Sequence, residues 1–463
     1  MKVRLSSCRS AFLIFNSLIF NPLLAADFRA GAATEIITPP IGAPMAGYYS
    51  ERAAEGVHDD LLAKALVIEQ DGGKAAFVVC DLISFDRRLV QEARALISKN
   101  TGIKGEDVMI SATHSHTGPV LREASPRSAA LGGEKQLAVE YTRTLPAKIA
   151  ECVRKAEANL APSRLMAAIG REEHMSHNRR YFMRDGAVGW NPGKLNTNIV
   201  RVAGPIDPDV GVLYFESPDR KLPQATYVNF AMHPDTVGGL QYSADYPYTL
   251  SRLLSDFKGS NMITLFANGA CGNINHVDVN WRDPQKGHGE AARLGAILAG
   301  AVCRSFPRLQ PVDTSAPRVV REIVKLPLPQ VAPEDVDRAR EVVRRANAPF
   351  LARVGAFKTL DVVGREGKPH EVEVQVIALG DQVAWVSLPG EIFVELGLAI
   401  KKASPFRYTM IAELANGSVG YIPHREAYPQ GNYEVVSTRC AQGSGELLVD
   451  AAVGLLRQLR RAR

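Results

Sequence analysis

Residues 110–119 read I-S-A-T-H-S-H-T-G-P and place two imidazoles, His114 and His116, two positions apart. In an extended segment such positions share a face. One of the pair can then bind a metal while the other orients water or substrate, or donates a proton. His233, in F-A-M-H-P-D-T, adds a third imidazole, and Glu391, in L-P-G-E-I-F, adds a carboxylate. A catalytic zinc takes this mixture of imidazole nitrogen and carboxylate oxygen and keeps one position for water, whose pKa it lowers toward neutrality. His114, His233 and Glu391 would form such a set. Plainer readings stand beside it. The histidines can be hydrogen-bonded loop or strand-end residues, Glu391 a helix N-terminal carboxylate favoured by the dipole, and Tyr421 a half-buried aromatic. No linear H-E-x-x-H signature is present.

The elements around these residues say more than their spacing. K-A-A-F-V-V-C-D-L reads as a buried strand, R-R-L-V-Q-E-A-R-A-L-I as a helix, and D-V-M-I-S-A-T as the next strand. A-T-Y-V-N-F-A-M, a helix over 247–257, M-I-T-L-F-A and a helix over 288–304 follow. V-E-V-Q-V-I-A-L and V-A-W-V-S-L flank a G-D turn and predict a hairpin. A helix after Glu391 and the strand Y-T-M-I-A-E-L come next. This alternation predicts an α/β fold of mixed layers, one large catalytic domain over residues 27–463. The stretch 312–368, rich in Pro, Arg, Glu and Ala with one charged helix over 333–347, reads as a connecting or lid-like excursion.

In open α/β sheets, ligands gather beyond the carboxyl ends of strands. Strands ending at Ala112, Met232, Ala267, Leu388 and near Leu414 deliver T-H-S-H-T-G-P, H-P-D-T-V-G-G, N-G-A-C-G-N-I-N-H, P-G-E and A-N-G-S-V-G-Y. Five polar strand ends predict one convergent site. His58, Asp59 and Asp245 read either as partners that orient the ligands or as structural residues, Asp245 as a helix N-cap.

The start of the chain has a different character. Lys2, Arg4 and Arg9, an apolar A-F-L-I-F-N-S-L-I-F and the small residues of P-L-L-A-A predict a cleaved secretory signal over 1–26, and hence a periplasmic or secreted protein. Without those three cations the formal charge falls from +6 to +3, a balance that gives no sign of a nucleic-acid partner. The basic end L-L-R-Q-L-R-R-A-R reads as the solvated face of a final helix, with peripheral membrane contact as the weaker alternative. Five cysteines remain once Cys8 leaves, scattered and odd in number, which is no disulfide framework. Cys80, Cys152 and Cys303 read as small buried hydrophobes. Oligomeric state is not legible.

Taken together, I-T-P-P-I-G-A-P-M-A-G-Y, G-V-H-D-D-L-L-A-K-A-L-V, S-A-T-H-S-H-T-G-P, V-N-F-A-M-H-P-D-T-V-G-G and L-P-G-E-I-F resemble the neutral/alkaline ceramidases. These are secreted zinc amidases that split the amide of N-acylsphingosine, and the likeness runs from about residue 30 to the C-terminus. The resemblance implies one Zn2+ per chain held by His114, His233, Glu391 and Tyr421. It implies His116, Tyr433 and Arg179 at the substrate, with Arg180 as the alternative register. The implied substrate is a small-molecule or lipid N-acyl compound.

Two departures qualify the likeness. Family members carry a serine where G-N-I-N-H places Asn275, and an amide can hydrogen-bond a substrate or oxyanion but cannot form an acyl-enzyme. The chain also continues only briefly past Tyr433, without the family's immunoglobulin-like domain. The expected function is therefore cleavage of a linear amide by zinc-activated water, with ceramide itself in doubt. Two other functions compete. Cys271 could act as nucleophile beside a histidine such as His276, or the chain could be a non-catalytic zinc-containing envelope protein that binds lipid.

Overall fold

The computed structural model describes residues 28–259, 262–345 and 347–461; the secretory-signal reading of 1–26 lies outside them. Three sheets surround a shared core, and each is covered on its outer face by helices. The first sheet runs Val108–Ala112, Gly73–Cys80, Leu62–Gln70, Arg29–Ile36, Ala161–Pro162 in spatial order. The second runs Ile263–Asn268, Pro223–Phe230, Asp209–Glu216, Arg164–Arg171, Gln310–Pro311, and the third Arg318–Leu326, His370–Leu379, Val383–Ser387, Tyr408–Ala412.

The period-two alternation of strands sorts the side chains between these layers. In Gly73–Cys80, Ala75, Phe77 and Val79 point into the shared core with Tyr227, Leu265, Trp385 and Met410. Ala76, Val78 and Cys80 point outward against Leu89 and Ile97 of helix Arg87–Thr101 and Leu145 and Ile149 of helix Gln136–Ala158. Helices Tyr246–Lys258 and His288–Ser305 cover the second sheet in the same way. Helices Val394–Ala403 and Ser444–Arg461 cover the third. Because both faces of the inner strands are buried, those strands read as continuous apolar runs. Burying each Leu, Ile or Phe of these layers contributes roughly 1.5–3 kcal/mol.

Most neighbouring strands are antiparallel, but every large sheet holds one parallel pair: Gly73–Cys80 with Val108–Ala112, Pro223–Phe230 with Ile263–Asn268, and Val383–Ser387 with Tyr408–Ala412. Those three pairs supply all five strand ends singled out from the sequence. Backbone bonds stitch their ends together across the sheets. Ala112 N donates to Leu414 O at 3.2 Å, Asn416 N to Ile110 O at 2.8 Å, and Glu413 N to Asn268 O at 3.0 Å.

The fold is thus the expected mixed α/β class. The stretch 312–368 departs from its reading as an excursion, since Arg318–Leu326 pairs along its whole length with His370–Leu379 as a strand of the third sheet. What remains of the excursion is the helix pair Pro333–Arg344 and Phe350–Val363. In the final helix Leu455, Leu456 and Leu459 are buried and Arg457 is exposed, so the basic residues form its outer face. Among the described residues no helix is long and apolar enough to cross a membrane.

Candidate metal centre

His114 follows the end of the first sheet's parallel pair and has a left-handed φ of 74°, a conformation that costs a residue with a Cβ roughly 1–2 kcal/mol. Two bonds hold it there: its N–H donates to Leu82 O at 2.9 Å, and Nδ1 lies 2.9 Å from Ile83 O. The rest of the T-H-S-H-T loop is anchored by Ser115 and Thr117, whose hydroxyls donate to Ser243 O at 2.6 and 2.9 Å. Ser243 in turn donates to the buried carboxylate of Asp59 at 2.6 Å, and Ala244 N does so at 2.7 Å. Asp59 therefore braces the histidine loop from behind, while His58 stacks on His288 away from it.

His233 is fully buried at the end of the second sheet, its Nδ1 2.8 Å from Cys271 O. The loop after it is tied by Asp245, which accepts from Thr236 N and Val237 N at 2.8 Å each and also caps helix Tyr246–Lys258. Asp245 is thus the helix N-cap and also ties the loop that follows His233. Glu391 comes from the third sheet's end. Gly272 permits its approach, since a Cβ on Gly272 would lie 2.5 Å from Glu391 O.

These three elements converge on one point. Nε2 of His114 and Nε2 of His233 each lie 3.3 Å from Oε2 of Glu391. Nε2 of His116 lies 3.3 Å from Nε2 of His114. His116 Nδ1 is 3.0 Å from Gly47 O and 3.5 Å from Asp235 Oδ1. All three Nδ1 atoms face backbone carbonyls and so carry the protons. That leaves three Nε2 lone pairs facing each other and a carboxylate oxygen.

Electrostatics favour the donor form at His116 and His233, whereas at His114 the lowering by burial is outweighed by Glu391, which raises that imidazole above its ordinary pKa. Burial lowers the pKa of His233 to about 3 and of His116 to about 4, so both imidazoles stay neutral. Burial alone would raise Glu391, but His114 and His233 outweigh it and hold the carboxyl well below its usual range. His233 Nε2 and Glu391 Oε2 are buried with no hydrogen-bond partner. Converging lone pairs of this kind repel unless a cation sits among them. The donor set fits a divalent metal of the zinc type. His114, His116 and His233 by themselves form a group able to hold a metal, their donor atoms within 4.8 Å of one another. His116, expected at the substrate, thus stands geometrically among the donors as well.

Tyr421 pairs backbone to backbone with Glu391 in a short parallel bridge, and burial, then the Glu391 charge, pushes its phenol well above the ordinary pKa. Arg179 donates from Nη2 to Tyr421 Oη at 3.1 Å and to Gly272 O at 2.6 Å. Arg180 points elsewhere, to Glu434, Gln430 and Gly431, so Arg179 is the arginine in register with the site. Tyr433 meets Tyr421 edge-on at 5.4 Å and packs with Trp190 and Phe350 at 4.4 and 5.5 Å, forming an aromatic wall.

The Asn275 side chain bonds within its own loop, donating to Asn191 Oδ1 at 3.0 Å and accepting from Val277 N at 3.1 Å, while the neighbouring Ile274 O accepts from His233 N at 3.3 Å. The expectation of a cysteine nucleophile is corrected. Cys271 is fully buried, and its thiol donates to Glu413 Oε1 at 2.9 Å. Burial and Glu413 push that thiol well above its ordinary pKa, the opposite of an activated nucleophile. His276 lies against Gln285 O instead of Cys271.

The sequence reading missed Glu413 and Glu434. Glu413 accepts from Cys271 N at 3.1 Å and Ile392 N at 2.8 Å, locking the Cys271 loop, whose carbonyl faces His233, to that of Glu391. Burial raises its pKa to about 8. The available signal was an acid closing the otherwise apolar strand Y-T-M-I-A-E.

Residues 28–239, nearly half of the chain, match the family described as neutral/alkaline non-lysosomal ceramidase, N-terminal. His114, His116, Arg179 and His233 fall inside that match. No curated protein matches the chain in sequence. Among solved structures, a neutral ceramidase from Pseudomonas aeruginosa aligns with a TM-score of 0.74 at 20% identity, over 94% of this chain and 75% of that one. A ceramidase complexed with C2 aligns with a TM-score of 0.69 at 19% identity, over 94% and 76%. At such identity the structural likeness is one of fold. The resemblance drawn from the motifs thus stands as a family match over residues 28–239 and as a likeness of fold over nearly the whole chain.

Proposed function

We propose that this chain is a ceramidase-type, metal-dependent hydrolase that cleaves the amide of an N-acyl substrate, with zinc as its metal and the periplasm or cell exterior as its place of action. The observation that carries the reading is the convergence of His114 Nε2, His233 Nε2 and Glu391 Oε2, two of them buried without a hydrogen-bond partner. His114, His233 and Glu391 would hold the ion, with Tyr421 beside Glu391. When bound, zinc would supply a Lewis acid and lower the pKa of a coordinated water.

The remaining chemistry belongs to the side chains. His116 carries its proton on Nδ1 toward Gly47 O, leaving Nε2 free to take a proton and pass it to the leaving amine. Arg179 fixes the Tyr421 hydroxyl, which can then donate to an oxyanion developing on the scissile carbonyl. The wall of Tyr433, Trp190 and Phe350 offers an apolar, water-excluding surface for an acyl chain.

Metal analysis of wild type, His114→Ala and His116→Ala, with hydrolysis of short- and long-chain N-acyl substrates, tests this reading. Wild type is expected to hold one zinc and turn over. His114→Ala should lose both, and His116→Ala should keep zinc while losing at least about 100-fold in kcat. Turnover that survives chelation overturns the metal-dependent mechanism. Tight zinc without cleavage of any N-acyl substrate would instead make the chain a binding protein.

A further inference from the structure

The guanidinium of Arg127 lies over the ring of Tyr49, 4.4 Å from its centroid. Tyr49 meets Tyr433 edge-on at 6.5 Å, and Tyr433 meets Tyr421 at 5.4 Å. Three tyrosine rings therefore run without a break from Arg127 to the Glu391 cluster. Arg127 is half-buried, and Tyr49, Tyr433 and Glu391 all act on its charge.

Its donors distinguish it from the other arginines near the site. Arg52 donates to the carbonyls of Gly239 and His116. Arg179 and Arg180 share Glu434, Arg439 pairs with Asp361, and Arg353 reaches Tyr49 O. The Arg127 guanidinium, among the described residues, makes no hydrogen bond or ion pair, and it lies over the Tyr49 ring. Glu123, four residues earlier, is near enough to feel its charge but forms no ion pair with it; burial, then Asp86, raises Glu123 to about 7. An aromatic face steadies a guanidinium from one side and leaves its N–H edges free for bidentate recognition of an anion. Half-burial of so many unused donors is costly without an acceptor.

We propose that Arg127 binds an anionic group of the substrate, a carboxylate or sulfonate, so that the preferred amides are acidic N-acyl compounds over neutral N-acyl amino alcohols. The inference rests on the hydrolase reading for the bond that breaks, and on Arg127 and Tyr49 for the anion.

The test pairs turnover with binding, using N-dodecanoylglycine, N-dodecanoyltaurine and N-dodecanoylethanolamine, which share one acyl chain and differ in headgroup charge. Wild type should show kcat/KM at least about tenfold higher for an acidic member than for the ethanolamide. Arg127→Gln should abolish that difference through KM, leaving the ethanolamide unchanged, and Arg127→Lys should restore part of it. The glycine and taurine arms separate carboxylate from sulfonate. Calorimetric binding of the same compounds gives a readout free of turnover. An equal loss on all substrates in Arg127→Gln, or no preference for acids in wild type, overturns the proposal. Arg127-dependent binding of an acidic compound that is never cleaved upholds the anion site and overturns the hydrolase reading.

Discussion

Glu434 is fully buried, and each of its carboxylate oxygens holds one arginine: Oε1 takes Nε of Arg179 at 2.9 Å, and Oε2 takes Nη1 of Arg180 at 2.8 Å. Through Arg179 it sets the hydroxyl of Tyr421 beside Glu391. Glu434→Gln would turn an NH2 group toward one of the two arginines and strand a buried charge, at a cost of roughly 3–5 kcal/mol. Urea unfolding should show that loss, and residual activity measured where the variant is still folded should also fall, since Tyr421 loses its brace. An unchanged unfolding midpoint would show that the two arginines find other partners. The sequence revealed Tyr433 but not the acid beside it, because a Glu in N-Y-E reads as a solvated charge until burial is known. Arg179 is named there only through the resemblance, with Arg180 as the alternative register, for the same reason. Both bind Glu434, and only the direction of the side chain decides which one reaches Tyr421.

At the scale of elements, the site exists because three parallel pairs from three sheets end together. Asn416 is one of the clasps. Its Oδ1 accepts from Ile110 N at 3.0 Å in the first sheet, and its Nδ2 donates to Glu373, Gln375 and Ser387 at 3.1, 2.8 and 3.2 Å in the third. Its φ of 60° is one that Asn tolerates better than most residues. Asn416→Ala would leave the buried Ile110 N–H unpaired and force alanine into a left-handed conformation, a cost of about 3 kcal/mol. Amide exchange at Ile110 should accelerate with it, and protection equal to wild type would refute the clasp. The five strand ends were legible as apolar runs broken by polar loops. Their sorting into three sheets was not, since a doubly buried strand carries no mark of its neighbours. Helix Gln136–Ala158 escaped notice because Pro146 lies inside it, where proline ordinarily argues for a break. Tyr141, Leu145 and Ile149 pack it onto the first sheet regardless.

At the scale of the whole molecule, burial of neutral histidines makes folding sensitive to acid. His370, remote from the metal cluster at the start of a third-sheet strand, is 7% exposed, with Nε2 lacking any hydrogen-bond partner. Burial first, then the charges of Arg365 and Arg439, lowers its pKa to about 4. In the unfolded chain the imidazole titrates near 6.5. Between these values the unfolded state binds a proton that the folded state refuses, so stability rises with pH. The contribution is complete above pH 6.5 and drains away as pH falls toward 4, by up to about 3 kcal/mol. Other histidines add their own slopes, so the informative quantity is the difference between wild type and His370→Leu. Urea unfolding from pH 7.5 to 4.5 should show the variant gaining on wild type steadily below pH 6.5. Parallel curves would mean that His370 is protonated in the folded protein, with the third sheet opening enough to hydrate it.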